Sequence, residues 1–249
     1  MGTLADQLTK EVDKILGWAI DAKPTNTVPT PEDLTLGKTA KTFKTAVLYT
    51  DVRGSSHYGL VHQRRTVAKI FNAFLNGAVR IIRQNGGHVR SFNGDSVLAF
   101  FDPEAGSPCD DAVRSAMQLV YFQDEILQPA MQHRQWQDDF DIGIGIAYGE
   151  ILATKVGVIG ENQSDLIWPS TATNLAAKLG GIGRNPYHIY VAESVLKHLS
   201  SSLTVHQVET NDWWYGKRVK SVGMWSPVND FMFAGKHFTV FSTNYRIPL

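Results

Sequence analysis

Apolar and polar positions alternate along this chain with two different periods, and the switches between them outline its elements. Leu4, Leu8, Val12, Ile15, Leu16 and Ala19 recur at helical spacing, with Asp6, Lys10, Asp13 and Lys14 mostly off that stripe. Residues 3–20 are therefore expected as an amphipathic helix. The stretch that follows, DAKPTNTVPTPEDLTLGKTAK, carries three prolines among small polar residues and reads as a linker. TAVLYTDV is a short apolar run expected as a buried strand. Helical periodicity returns over 61–84 through Val67, Ile70, Phe71, Phe74, Leu75, Ala78 and Ile81. GGHVRSFNGDSVLAFF reads as a hairpin turning at Asn93-Gly94. Residues 108–128 read as a helix, DFDIGIGIAYGEILATKVG as a glycine-rich second hairpin, and STATNLAAKL as a further helix. HIYVAESVLKHLSS predicts a strand and a short helix, and the tail from about 203 to 243 is strand-like and aromatic, with Trp213, Trp214 and Trp225 expected in packing or at a dimer surface.

Hairpins interleaved with helices predict an α+β sandwich with helices on one face of a sheet. At 249 residues the chain fits one large domain or a domain with an appendage, taking roughly 100–200 residues per domain. Lys plus Arg and Asp plus Glu both number 24, so the formal net charge is zero. That argues against general nucleic-acid or membrane-surface binding, which needs a basic excess. A single cysteine, Cys109 in an expected acidic loop, rules out an intrachain disulfide. No apolar run approaches the ~20 residues of a membrane span, and the N-terminus lacks the pattern of a secretory signal. A soluble, cytoplasmic protein is expected. No G-x-S-x-G and no zinc-type His or Cys spacing occurs.

Two acids stand where chemistry could be done. Asp51 follows the run AVLYT, and Asp95 sits in the hairpin turn. Alone, each is an ordinary turn or cap residue. If a central strand end and the tip of a neighbouring hairpin approach each other, the two carboxylates form a hard oxygen site suited to Mg²⁺ or Mn²⁺. Asn174 and Lys178 are spaced i, i+4 and so share one face of the predicted helix, either a solvated polar face or a pair aimed at an interface.

The four segments VLYTDVRGSS, GGHVRSFNGDSVLAFF, IGIGIAYGEILATKVGVIG and IWPSTATNLAAKL, in this order and over roughly residues 42–200, resemble the catalytic domain of class III nucleotidyl cyclases. The resemblance implies a ferredoxin-like α+β fold over residues 41–249, preceded by the helix and linker of 1–40. It also implies a head-to-tail homodimer with composite active sites and two divalent cations, Mn²⁺ or Mg²⁺. Asp51 and Asp95 match the metal-binding aspartates, and the Val52 carbonyl matches a further ligand. Asn174 matches the ribose-orienting asparagine. Lys178 stands where the family usually has a transition-state arginine, and offers a point charge in place of a planar fork. Arg53, Arg90, Lys217, Arg218, Lys220 and Lys236 are candidates for a supporting cation.

The base-selecting positions depart from the family. Ser91 occupies the place of the purine-reading Lys or Glu, and Ile167 that of the usual Asp or Thr, so neither purine reader is present. Tyr49 and Trp168 add bulk that favours a single-ring base, or else are core aromatics, and Tyr49, Ser91 and Arg53 carry groups able to bond a pyrimidine edge. This combination resembles the pyrimidine cyclases of the bacterial Pycsar anti-phage systems. The resemblance implies conversion of UTP, or alternatively CTP, to a cyclic mononucleotide read by a separate effector. Adenylate cyclase activity, a decayed cyclase-like dimerisation or nucleotide-binding module, and an RNA-binding protein on a ferredoxin-like scaffold are the alternatives.

Overall fold

The computed structural model describes residues 3–104, 106–136, 138–158, 164–212 and 216–249, with the backbone alone for 209–212 and 216–220. The chain runs through α1 (Leu4–Leu16), β1 (Asp21–Pro24), β2 (Thr39–Val52), α2 (Ser55–Val61), α3 (Arg64–Gln84), β3 (Gly87–Asn93) and β4 (Ser96–Phe101). It continues through α4 (Pro108–Phe122), α5 (Gln128–Gln132), β5 (Ile142–Gly157), β6 (Ser164–Ile167), α6 (Thr171–Gly180), β7 (Ile189–Ala192) and α7 (Glu193–Leu196). The tail forms β8 (Val205–Asp212), β9 (Gly216–Gly223), β10 (Ser226–Val228), β11 (Met232–Phe233), β12 (Lys236–His237) and β13 (Val240–Thr243).

A nine-stranded sheet has the path β10-β13-β7-β5-β2-β4-β3, with β1 beside the start of β2 and β6 beside the end of β5. Its middle, β5-β2-β4-β3, is built from the succession β2-α3-β3-β4-α4-β5, which is the ferredoxin-like βαββαβ unit. The fold class is therefore as the sequence implies. The helices are not confined to one face, however. Ala46, Leu48 and Val52 of β2 point into a cluster with α3 and α4, whereas Phe43, Val47 and Tyr49 point into a second cluster with α6. A strand apolar on both sides needs a layer on each.

Several local expectations change for identifiable reasons. The glycine-rich segment expected as a hairpin is the single 16-residue strand β5. Its period is two throughout: Ile142, Ile144 and Ile146 face the α3–α4 side, and Gly143, Gly145, Ala147 and Gly149 face α6. The β3–β4 turn is centred one residue later than expected, because Asn93 pairs with Ser96 and Gly94, at φ +65°, and Asp95 form its tip. The Pro-rich linker is strapped to the sheet, with β1 parallel to β2 and Val28 and Leu34 buried. Cys109 lies buried in the first turn of α4, not in a loop, and burial pushes its thiol up to about 12. Trp225 packs by donating Nε1–H to the Leu203 carbonyl at 2.8 Å. Trp213 and Trp214 lie outside the described residues. No described helix is long and apolar enough to cross a membrane.

The glycines of β5 set how closely α6 lies on the sheet. A Cβ on Gly145 would stand 2.0 Å from the Ala176 carbonyl oxygen and 2.3 Å from the Gly180 nitrogen. One on Gly143 would stand 2.2 Å from the Gly180 carbonyl oxygen. These neighbours are backbone and cannot swing aside. Gly145→Ala is thus expected to lift α6 and cost about 1–3 kcal/mol in chemical denaturation. Gly59→Ala, in open space on α2, serves as the control and is expected to leave stability unchanged or raise it by about 0.4–1 kcal/mol.

Beneath the start of β5, buried His188 places Nδ1 3.0 Å from Asp141 Oδ1 and 3.0 Å from the Ile142 carbonyl. Burial alone would push the imidazole down, but the contacts with Asp141 and Ile142 carry it above its ordinary value of 6.5. A raised histidine stabilises the fold fully below its unfolded pKa and loses that contribution as pH rises through the folded one. Thermal melts are therefore expected to show stability falling as pH climbs above 6.5, with the slope flattened in Asp141→Asn.

Candidate active site

Asp51 is the penultimate residue of β2, and β2 pairs antiparallel with β4 from Val47↔Phe100 to Thr50↔Val97. That register carries the β3–β4 tip, and with it Asp95, to the end of β2 where Asp51 stands. The two carboxylates are close enough for their charges to act on each other. Burial raises the Asp51 pKa, Arg53 opposes the rise, and Asp95 adds to it. Asp95 Oδ2 is buried and has no hydrogen-bond partner among the described residues. A buried, unpaired carboxylate oxygen beside a second carboxylate is an oxygen set in want of a cation.

Arg53 is held differently from the other residues expected to meet a base. Its Nη2 donates to Asp51 Oδ2, and its Nη1 donates to the Gly181 carbonyl at 2.6 Å. Its backbone N–H donates to the Asp141 carbonyl at 2.7 Å. Gly54, at φ +63°, then turns the chain into α2. Val52 turns its side chain into the α3–α4 core. Tyr49 lies against α6, where a Cβ on Gly180 would stand 2.8 Å from its Cδ1. Tyr49 and Ser91 both pair with Leu98, so the three form one row on the sheet face that also carries Asp51.

The remaining expected residues sit apart. Trp168 is in the core, 4.4 Å from Phe100 and 6.3 Å from Phe43 between ring centroids. It is a core aromatic, the second of the two roles open for it in the sequence. Its Nε1 is buried without a partner among the described residues. Ile167, its neighbour, is 43% exposed at the end of β6. Ser170 caps α6 by accepting from the Thr173 N–H. The buried face of α6 carries Ala172, Leu175, Ala176 and Leu179, and Asn174 and Lys178 are both exposed. They share one face, as the i, i+4 spacing predicts, and it is not the face packed on the sheet. Among the candidate supporting cations, Arg90 donates to the Val28 carbonyl at 3.0 Å, and Lys236 is exposed on β12. The side chains of Lys217, Arg218 and Lys220 lie outside the described residues. A cavity of about 540 Å³ opens beside the N-terminal end of α6, lined by Tyr148, Glu150, Thr171 and His237 among others, and none of the expected site residues lines it.

What sequence reasoning missed is the Arg53–Asp51 ion pair and its tie to Gly181. The available signal was the i, i+2 spacing of opposite charges at a strand end.

No protein-family model matches the chain. It is 33% identical over 227 residues to the uridylate cyclase of Burkholderia cepacia, an alignment covering 90% of this chain and 95% of that one. The chain belongs to the class III nucleotidyl cyclases. A second relative of this cyclase, the uridylate cyclase of Xanthomonas perforans, is 29% identical over 98% of this chain and 97% of its own. Among solved structures, the adenylyl cyclase CyaB of P. aeruginosa superposes with a TM-score of 0.61 at 15% identity, covering 82% of this chain and 95% of that one. At that identity the likeness speaks for the fold, which the cyclase shares. The protein is thus a nucleotidyl cyclase enzyme.

In the cyclase, burial first and the Asp95 charge after it raise the Asp51 pKa, so ionising Asp51 costs stability at pH above the carboxylate's ordinary 3.8. Asp95→Asn removes the like charge and is expected to raise the melting temperature of the metal-free protein at pH 7 slightly, since a half-exposed pair is screened by water. Because Asp51 is neutral in acid, the difference between variant and wild type should shrink as the melts are repeated toward pH 4.

Proposed function

We propose that the protein is a metal-dependent uridylate cyclase, converting UTP to the 3′,5′-cyclic monophosphate and pyrophosphate as a second messenger of anti-phage defence, read by a separate effector in the cytoplasm. The observation that carries the metal site is the convergence of Asp51 with the unpaired carboxylate of Asp95. Support for a pyrimidine comes from relatives named uridylate cyclase that align along nearly the whole chain, and from Ser91 and Ile167 at the two positions where purine readers would stand.

Two carboxylates and the Val52 carbonyl fit divalent cations that take their other ligands from water and substrate phosphates, as Mg²⁺ and Mn²⁺ do. Among the described residues no group of three or more His, Cys, Asp or Glu side chains forms a closed cage. Bound there, such ions would make the ribose 3′-hydroxyl more acidic and neutralise the triphosphate. The 3′-hydroxyl loses its proton to water, its oxygen attacks the α-phosphorus in line, the bond from phosphorus to the oxygen bridging the α- and β-phosphates breaks, and pyrophosphate leaves with the electron pair. Asn174 orients the ribose, and the Lys178 ammonium stabilises charge growing on the α-phosphoryl group. Both project from the exposed face of α6, which fits a head-to-tail homodimer in which each site takes Asp51 and Asp95 from one protomer and Asn174 and Lys178 from the other. Tyr49 and Ser91, in one row beside Asp51, are placed to meet the base.

Purified protein with Mn²⁺ or Mg²⁺ and each of the four ribonucleoside triphosphates, read by mass spectrometry, tests this directly. Cyclic UMP should dominate; product from CTP would move the assignment to cytidylate cyclase, and product from ATP or GTP only would sink the pyrimidine reading. Lys178→Ala should lower kcat by roughly 10²–10³-fold, as loss of one transition-state donor does. Mixing Lys178→Ala with Asp51→Ala protein should restore turnover by assembling one intact site per heterodimer, and no restoration would remove the composite site.

A further inference from the structure

We propose that Arg53 is the resident counter-ion of the cation site: its guanidinium neutralises Asp51 while no divalent ion is bound, and an incoming ion displaces it. The proposal rests on reading Asp51 and Asp95 as the metal-holding pair. Asp51 is the penultimate residue of β2, and Arg53 follows the strand directly in the turn before α2, from where its side chain reaches back to Asp51. One prong of the guanidinium fork donates to Asp51 Oδ2 and the other to the Gly181 carbonyl. The oxygen that accepts from Arg53 is thus one that a cation at Asp51 would use, and two positive groups drawn to one carboxylate repel, so the guanidinium and a divalent ion compete for it.

Two features separate this pair from an ordinary structural ion pair. The first is incomplete satisfaction. Arg53 Nε is buried without a hydrogen-bond partner among the described residues, and so is Asp95 Oδ2. A buried ionic network kept only for structure is stable when every member is paired, and here the arginine and the second acid are each left short. The guanidinium is bonded to only one of two neighbouring carboxylates, which leaves a net negative charge to draw a cation in. The second feature is the tether. Gly181 follows the last residue of α6, where carbonyls gather the negative end of the helix dipole. A guanidinium leaving Asp51 keeps that partner, so displacement is a short swing between two acceptors. The same tether joins cation occupancy to the helix whose outer face carries Asn174 and Lys178.

The test uses full-length, metal-free protein without nucleotide, titrated with Mn²⁺ while the electron paramagnetic resonance signal of free Mn²⁺ is read. Arg53→Ala and Arg53→Gln, which lack the competing charge, are expected to bind Mn²⁺ at least about fivefold more tightly than wild type, the lower end of ordinary coupling between sites. Arg53→Lys, which keeps the charge, should stay nearer wild type. The gain should vanish when Asp51→Asn is added to either variant, because the competition is for that carboxylate. Unchanged or weaker Mn²⁺ binding in Arg53→Ala and Arg53→Gln, or a gain that survives Asp51→Asn, would overturn the proposal. If that happens while the wild type still cyclises UTP with Mn²⁺, only the counter-ion role is lost. If no protein binds Mn²⁺ and no nucleotide is cyclised, the metal-site reading falls with it.

Discussion

The seat of α6 on the glycines of β5 is the contact on which the arrangement of the site depends. Helix backbone meets strand backbone where Gly143 and Gly145 present no side chain. A side chain at either position would hold the helix off. Because α6 lies so close, Gly180 can take the ring of Tyr49 and Gly181 can accept from Arg53. Both of those partners come from the end of β2 that carries Asp51. The isoleucines that alternate with these glycines fill the opposite core, so one strand sets the spacing of two layers at once.

Around that contact the sheet register places the acids. Antiparallel pairing of β2 with β4 fixes the hairpin tip at the strand end, and a shift of one residue would turn Tyr49 and Asp51 to the other face. The outcome is an electrostatically uncomfortable spot. Asp51 is partly desolvated beside a second carboxylate, and the neighbouring arginine bonds Asp51 alone. Such frustration is uncommon in a site kept only for stability and common where a charged ligand completes the balance. The neutral total charge of the chain is compatible with this, since the field that matters is local.

The residues proposed to meet the nucleotide are divided between two surfaces. The acids, Tyr49 and Ser91 belong to one sheet face, and Asn174 and Lys178 to the exposed side of the helix lying on that face. The proposed head-to-tail pairing of two chains would bring these two surfaces together. Trp168 contributes to this indirectly. Packed on Phe100 and Phe43, it anchors the segment that leads from β6 into α6, and so helps set where the helix begins.

Much of this was legible in the sequence. The alternation of strands and helices and the shared face of Asn174 and Lys178 follow from periodicity, a local property of the chain, while the ferredoxin-like fold and the pairing of Asp51 with Asp95 were what the resemblance to the cyclases implied. The length of β5 was not, since a run of glycines reads as a turn until the helix that needs them is in place. Nor was the strapping of the Pro-rich segment, whose Val28 and Leu34 are buried only by strands distant in sequence. Likewise, the sequence left Trp168 between pocket and core, and packing against Phe100 decided for the core. Local spacing determined which residue types were available for chemistry, the neighbouring Asp51 and Arg53 among them; the tie of Arg53 to Gly181, and the approach of Asp95 to Asp51, were decided by tertiary structure, because groups far apart along the chain meet only when register and packing bring them together.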